Sequence, residues 1–352
     1  MYNLCCISNE LKEQGYHFQT MTWKRYNDLC EQHDEQYALN ELGERWLNNV
    51  RVTFMCIQHC YENGWGYRIS SNLFPIRTHP DFKYGIKDVP QYDEIMDELD
   101  AIAEHNKEWK VRLSTHPDQF NVLASENQNA VDKTINELNF HGWVMDRMGC
   151  PRDYNSPMNI HVNCTKGELS DIAARFMSNL NKCDQSVTSR LVVENEDKGC
   201  WTVENLLIYF NIPITYDNLH DRCNPSPKAM VDCAKTWGNV KPLFHYSESH
   251  PEKTNPRSHA DMPTDYPATS DRYDWDIELK SKDVAIRACA AIADDNLFKH
   301  RISSLNVESA RYKELNKPFR TPDGPKKFSV YVKNDKGDVV KVNFNGSERV
   351  DK

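Results

Sequence analysis

The chain is 352 residues long, 39% hydrophobic, and carries a formal net charge of −9. That length can bury a sizeable core and suits one large α/β barrel or two ordinary domains, while the acidic balance excludes a uniformly basic, nonspecific nucleic-acid binder and still allows a local basic face. No run approaches a membrane span, and MYNLCCISNELKEQG lacks the basic-then-apolar pattern of a signal peptide, so a soluble cytoplasmic or nuclear protein is expected.

In chain order, strands alternate with helices. YNLCCIS is a short apolar strand, and after a polar excursion Leu39, Leu42, Trp46, Val50, Phe54 and Ile57 fall at helical spacing. GWGYRISSN predicts a second strand ending at Arg68 to Ser71, followed by a proline-containing loop and a helix with Ile95, Leu99, Ile102 and Ala103 on one face. WKVRLSTHP is a third strand ending at His116, and its helix carries Val131, Ile135, Leu138 and Met145 before Gly149 stops it. PMNIHVN ends a fourth strand near His161, with SDIAARFMSNL as its helix.

The stretch RLVVENEDKGCWTVENLLIYFNIPITYDNLH organises the rest. Two β-branched runs, LVV and IPITY, flank a helix introduced by Thr202, which reads as one βαβ unit. PKAMVDCAKTW is a further helix, KPLFHYS a seventh strand ending at His245, and WDIELKSKDVAIRACAAIADD an eighth strand running into a helix. Eight such units predict a TIM (β/α)8 barrel over residues 1–300, and the lack of a glycine-rich phosphate loop speaks against a doubly wound sheet with a nucleotide cofactor. Residues 247–274 form a long, proline-rich connection of the kind that usually carries function. Residues 301–352 read as a linker and a short C-terminal β-hairpin extension turning near residues 335–337, richer in Lys and Arg than the rest. The twelve scattered cysteines, without CxxC pairs, suggest reduced thiols; Cys5 and Cys6 suit strand packing better than a zinc knuckle.

Metal-binding residue types fall at the strand ends. His116 closes strand three, His161 strand four, Glu194 strand five, Asp217 and His220 strand six, His245 strand seven and Glu278 strand eight, with His259 in the long loop. Barrel closure would gather these ends on one face. A ring of that size exceeds the needs of one ion and predicts two or three divalent metals sharing bridging carboxylates. Singly, each has a plainer reading: a lone histidine is more often packed or exposed, and His17, His33, His59, His79, His105, His141, His250 and His300 are read that way. Glu196 and Asp197 are equally fair as helix caps.

Taken together, RISSNLFP, THPDQF, IHVN, LVVENED, YDNLH, FHYSES, SHAD and DIELKSKD make the chain resemble the ultraviolet damage endonucleases (UVDE) over roughly residues 1–300. The resemblance implies a barrel that binds divalent ions, commonly manganese with zinc or magnesium as alternatives. It implies incision of damaged double-stranded DNA immediately 5′ to cyclobutane dimers, 6-4 photoproducts or abasic sites. It assigns metal ligation to His116, His161, Glu194, Asp217, His220, His245, His259 and Glu278. Gln119 and Phe120 match the pair that enters the duplex at the lesion, with Phe where relatives often carry Tyr. Two positions depart from the pattern: Leu243 stands two residues before His245 where a modified lysine is expected, the nearest lysine being Lys241, and LCCISNE, which includes Asn9, lacks the aromatic expected near the first strand's end. Competing readings are an endonuclease IV-like abasic-site nuclease, a two-metal sugar isomerase of the same fold, and a lesion-binding protein with a degenerate centre.

Overall fold

The structure is a computed structural model in which residues 1–267, 272–296, 319–320, 328–334 and 339–344 are described. The chain divides into two compact units, Met1–Cys289 and Ala290–Lys352. In the first, the order is β1 (Tyr2–Cys5), α1 (Asn9–Glu13), α2 (Trp23–Gln32), α3 (Glu35–Asn63), β2 (Gly66–Ile69), α4 (Tyr92–Trp109), β3 (Leu113–Thr115), α5 (Gln128–Arg147), β4 (Met158–Ile160), α6 (Leu169–Leu180), α7 (Gln185–Thr188), β5 (Leu191–Glu194), α8 (Val203–Tyr209), β6 (Ile214–Thr215), α9 (Asn218–Cys223), α10 (Met230–Lys235), β7 (Leu243–Tyr246) and β8 (Asp274–Ile277). Residues 283–289 are helical.

All eight strands are parallel, in the order β6-β5-β4-β3-β2-β1-β8-β7. A parallel bridge between Asp217 and His245, with the His245 amide donating to the Tyr216 carbonyl at 2.9 Å, joins β6 to β7. The sheet thereby closes on itself as the expected TIM barrel, with no free edge to protect. Leu191, Val192 and Val193 are fully buried although neighbours on a strand face opposite ways. That is the signature of a strand covered by the barrel interior on one face and helices on the other, and it explains the unbroken apolar run LVV.

The helices obey local rules that the sequence displays. Thr202 caps α8, its hydroxyl accepting from the Asn205 amide. Gly149, two residues past α5, sits at φ 73°, and a Cβ there would lie 3.1 Å from that of Ala103, so both backbone and packing require glycine. The polar excursion after β1 proves to hold α1 and α2. In α2 only Tyr26 and Leu29 are buried, a stripe too narrow for periodicity to reveal. All twelve cysteines are free thiols, and burial pushes those of Cys56 and Cys150 up to about 12, well away from reactive thiolate. Among the described residues no helix is long and apolar enough to cross a membrane.

In the second unit, β10 (Phe328–Lys333) and β11 (Val339–Phe344) pair antiparallel, and β9 (Phe319–Arg320) adds a third strand on β10. The expected hairpin is therefore part of a three-stranded sheet. Its expected turn near residues 335–337 lies outside the described residues.

Candidate metal centre and the exposed loop after β3

Barrel closure brings the strand-end donors to one mouth. Glu194, the last residue of β5, is the hub: its carboxylate lies 3.2 Å from His116 Nε2, 3.1 Å from His220 Nδ1, 3.1 Å from His245 Nδ1 and 3.9 Å from His161 Nε2. The Asn159 amide donates to its Oε2. Three overlapping sets of donors could each hold a cation: His116, His161 and Glu194; Glu194, Asp217 and His220; Asp217, His245 and Glu278. Seven of the eight ligands expected from sequence thus converge, with Glu194 and Asp217 each shared between two sets. His259 stands apart on the rim, its Nδ1 2.9 Å from the Glu278 carbonyl and 3.9 Å from that residue's Oε2. It arrives there because the long β7–β8 connection folds back, with Ser249 bridging to His259 and the Ala260 amide donating to the Glu248 carbonyl at 2.7 Å.

Buried carboxylates and histidines set one another's protonation in this pocket. Burial would lift the Glu194 carboxyl, but His245, His161 and the hydrogen bonds to His116 and His220 outweigh it and hold it well below the usual range. Burial alone would lower His220 and His245; the surrounding carboxylates reverse this, Asp217 and Glu194 holding His220 up to about 11 and Glu194 and Glu278 holding His245 up to about 9. At His161 burial prevails and the ring falls to about 4. Burial raises Asp217. His161 Nδ1 and Asp217 Oδ2 are buried without any hydrogen-bond partner, an arrangement costly unless a ligand fills it. The mixed imidazole and carboxylate set, with these orphaned atoms, fits divalent ions such as manganese or zinc.

Sequence reasoning overlooked the residues that orient these donors. Asp276, fully buried two positions before Glu278 on β8, places Oδ2 3.5 Å from His245 Nε2 and accepts from Asn3 Nδ2 at 2.9 Å. Alternation along a strand could have found it, since residues two apart share a face. Asn159 stands in the same relation to His161. Asn195 clamps the ends of β5 and β6, accepting from the Asp217 amide at 2.8 Å and donating to its carbonyl at 3.0 Å, while its own carbonyl lies 2.8 Å from His220 Nδ1. Such partners fix ring orientation and raise ligand basicity. Arg68, at the end of β2, inserts its guanidinium against Glu278 and 3.5 Å from Asp276. Leu243 is buried in β7, and Lys241 pairs instead with Asp274 at 2.7 Å, where β8 begins, at the barrel's opposite end.

A fourth donor set, Glu10, His59 and Asp283, lies outside this centre. Its carboxylates already have partners within the protein. Arg287 grips both Glu10 oxygens at 3.0 Å, His59 lies 3.2 Å from Asp283, and the Asn9 and Glu10 amides donate to Asp283 Oδ2.

Gln119 and Phe120 ride on the loop after β3. Phe120 is 81% exposed, a rare placement for a phenyl ring. The loop braces itself: Asp118 Oδ1 accepts from the Phe120 amide at 3.1 Å, and Asn121 bonds the Asp118 carbonyl through both its amides. Its base is tied to the helices, with Thr134 accepting from Val122 N at 3.1 Å and Asn179 donating to Leu123 O at 2.8 Å.

The profile of the UV-endonuclease UvdE family matches residues 2–308. The chain belongs to this family. Among UvdE relatives, a UV DNA damage endonuclease of a Nostoc species is 32% identical over 297 residues, covering 80% of this chain and 87% of that protein. One from Bacillus cereus is 28% identical over 284 residues, covering 76% and 86%. The crystal structure of SacUVDE superposes with a TM-score of 0.67 at 25% identity, covering 84% of this chain and 98% of that one. Membership in UvdE makes the chain a nuclease of the DNA-repair class.

Glu196 remains outside the expected ligand set, and its state is informative. Burial pushes its carboxyl up to about 7, against the lowering pull of the Asn163 amide. Its folded pKa lies above the unfolded value near 4.5, so the neutral acid stabilises the fold. That contribution is fully present below about pH 4.5 and is lost as pH rises through about 7. In chelator-treated protein, Glu196→Gln should therefore gain stability over the parent by on the order of 2–3 kcal/mol between pH 4.5 and 7.5. Denaturant melts across that range check it, and a pH-independent difference between the two proteins would contradict the assignment.

Proposed function

We propose that this protein nicks damaged double-stranded DNA immediately 5′ to cyclobutane dimers and 6-4 photoproducts, and at abasic sites, using two or three divalent ions with manganese foremost. The observation that supports this best is the set of three overlapping donor groups at the strand ends, sharing Glu194 and Asp217. Bridging carboxylates suit neighbouring ions of the kind used in phosphodiester hydrolysis. When bound, the ions would supply an activated water and charge stabilisation for the departing oxygen.

The chain's own residues do the remaining work. His116, His161, Glu194, Asp217, His220, His245 and Glu278 would hold the ions, and His259 would complete the rim. Asn159, Asn195 and Asp276 keep those donors turned inward. Arg68 supplies a fixed positive charge beside Glu278 and Asp276, and Leu243 stands at the position where the resemblance to the family leads one to expect a modified lysine. Gln119 and Phe120 would enter the helix at the lesion. A damaged duplex is cheaper to kink and unstack by a few kcal/mol, so the exposed ring enters there first.

A strand-resolved nicking assay on a duplex with one defined dimer tests the reading. With manganese a single cut 5′ to the dimer is expected, leaving 3′-hydroxyl and 5′-phosphate ends, and EDTA should abolish it. Incision that persists after chelation would remove the metal chemistry; cutting confined to an abasic analogue would redirect the assignment to an endonuclease IV-like activity.

A further inference from the structure

The loop that carries Gln119 and Phe120 is held from a neighbouring strand end by one side chain. Asn163, two residues past His161, donates from Nδ2 to the Gln119 carbonyl at 2.8 Å. Its own amide donates to Glu196 Oε1 at 2.7 Å. Asn163 sits at φ 52°, left-handed backbone that asparagine tolerates better than most residues, and this conformation lets amide and side chain serve the two partners at once. Glu196 is 8% exposed and is itself pinned, its amide donating to Trp201 O at 2.9 Å and its carbonyl accepting from Asn224 Nδ2 at 3.1 Å.

A chain of hydrogen bonds therefore runs Glu196 to Asn163 to Gln119, across the loops that follow β5, β4 and β3. Each of these loops begins at a candidate metal ligand: Glu194, His161 and His116. The Gln119 carbonyl is the point where the chain meets the tip. Elsewhere the tip is braced by its own Asp118 and Asn121, which shape the turn, and the loop's base by Thr134 and Asn179, which hold Val122 and Leu123.

We propose that Asn163 is a positioning residue for lesion recognition: anchored by Glu196, it holds the Gln119–Phe120 tip at a set height above the metal centre, so that entry of the tip into the helix places the adjoining phosphodiester over the metals. This rests on the reading of Gln119 and Phe120 as the probing pair. Without the strap the tip samples other positions and DNA capture weakens, while the centre itself is intact.

Asn163→Gly and Asn163→Asp both accept left-handed backbone and both lose the Nδ2 donor. Each is expected to raise KM for a dimer-bearing duplex about three- to tenfold, the worth of one hydrogen bond. Each should lower the binding preference for damaged over intact duplex by a like factor, with kcat at saturating DNA and manganese content unchanged. Glu196→Gln, which retains the acceptor, should preserve the preference, and Glu196→Leu should lose it. The double variant Gln119→Ala with Phe120→Ala is measured alongside. If that variant loses lesion preference while both Asn163 variants retain it, the strap is overturned and the probing pair stands. If the double variant itself retains preference, the probing reading fails and the strap falls with it. A fall in kcat and manganese content at unchanged KM would place Asn163 in support of His161 and would also overturn the proposal.

Discussion

Glu194→Gln is expected to lower incision of a dimer-bearing duplex by on the order of 10³-fold or more, the equivalent of several kcal/mol of lost charge stabilisation. Glu194 belongs to two of the three donor sets and touches four histidines. An amide of the same shape cannot bridge cations, so manganese content should fall together with activity. The metal-free protein gives an independent readout. The histidines around Glu194 hold its carboxyl well below the usual range despite burial, so its stabilising contribution is present above the unfolded pKa and is lost as pH falls through the depressed folded value. Chelated parent should therefore exceed Glu194→Gln in stability at neutral pH, and the gap should close on acidification. Full incision by the variant, or unchanged manganese content, would dismantle the shared-carboxylate centre.

Arg190→Met is expected to destabilise the fold by about 3–5 kcal/mol, because three carbonyls lose their donor at about 1–3 kcal/mol for each that stays buried and unsatisfied. Arg190 immediately precedes β5 and is fully buried. Its guanidinium donates to the carbonyls of Pro151 at 2.8 Å, Ser186 at 2.8 Å and Cys150 at 2.6 Å, and pairs with Asp146 at 2.7 Å. Methionine fills similar space but leaves three carbonyls without that donor; Asp146 keeps Arg152 at 2.6 Å, so its charge is not stranded. Because Arg190 and Glu194 lie at opposite ends of β5, the folded fraction should retain its manganese and its incision rate per molecule. Chemical denaturation measures the loss, and a shift below 1 kcal/mol would show that the network contributes little.

The two residues illustrate different kinds of legibility. Glu194 could be read from the chain because it follows a β-branched run, and the same pairing of apolar strand with terminal donor recurs at His116, His161, Asp217 and His245. Recurrence at a barrel's spacing carries information that no single position holds. Arg190 could not be read. It precedes the same strand, and nothing local distinguishes a buried guanidinium from a solvated one; the carbonyls it satisfies belong to a loop some forty residues earlier and to α7. Asp276 and Asn159 lie between, since each sits two positions before a ligand and period-two alternation puts it on the same face.

The sequence by itself determined the strand-and-helix alternation and the types of donor at each strand end, because hydrophobic period and capping are local properties written within a dozen residues; it favoured the barrel over an open sheet without deciding closure. Only the tertiary structure decided which donors lie together, that His259 stays on the rim, that Arg68 enters the centre beside Glu278 and Asp276, and that Asn163 reaches the Gln119 loop. Those facts are distances between residues far apart in the chain, and they acquire values only when β6 meets β7 and the sheet closes.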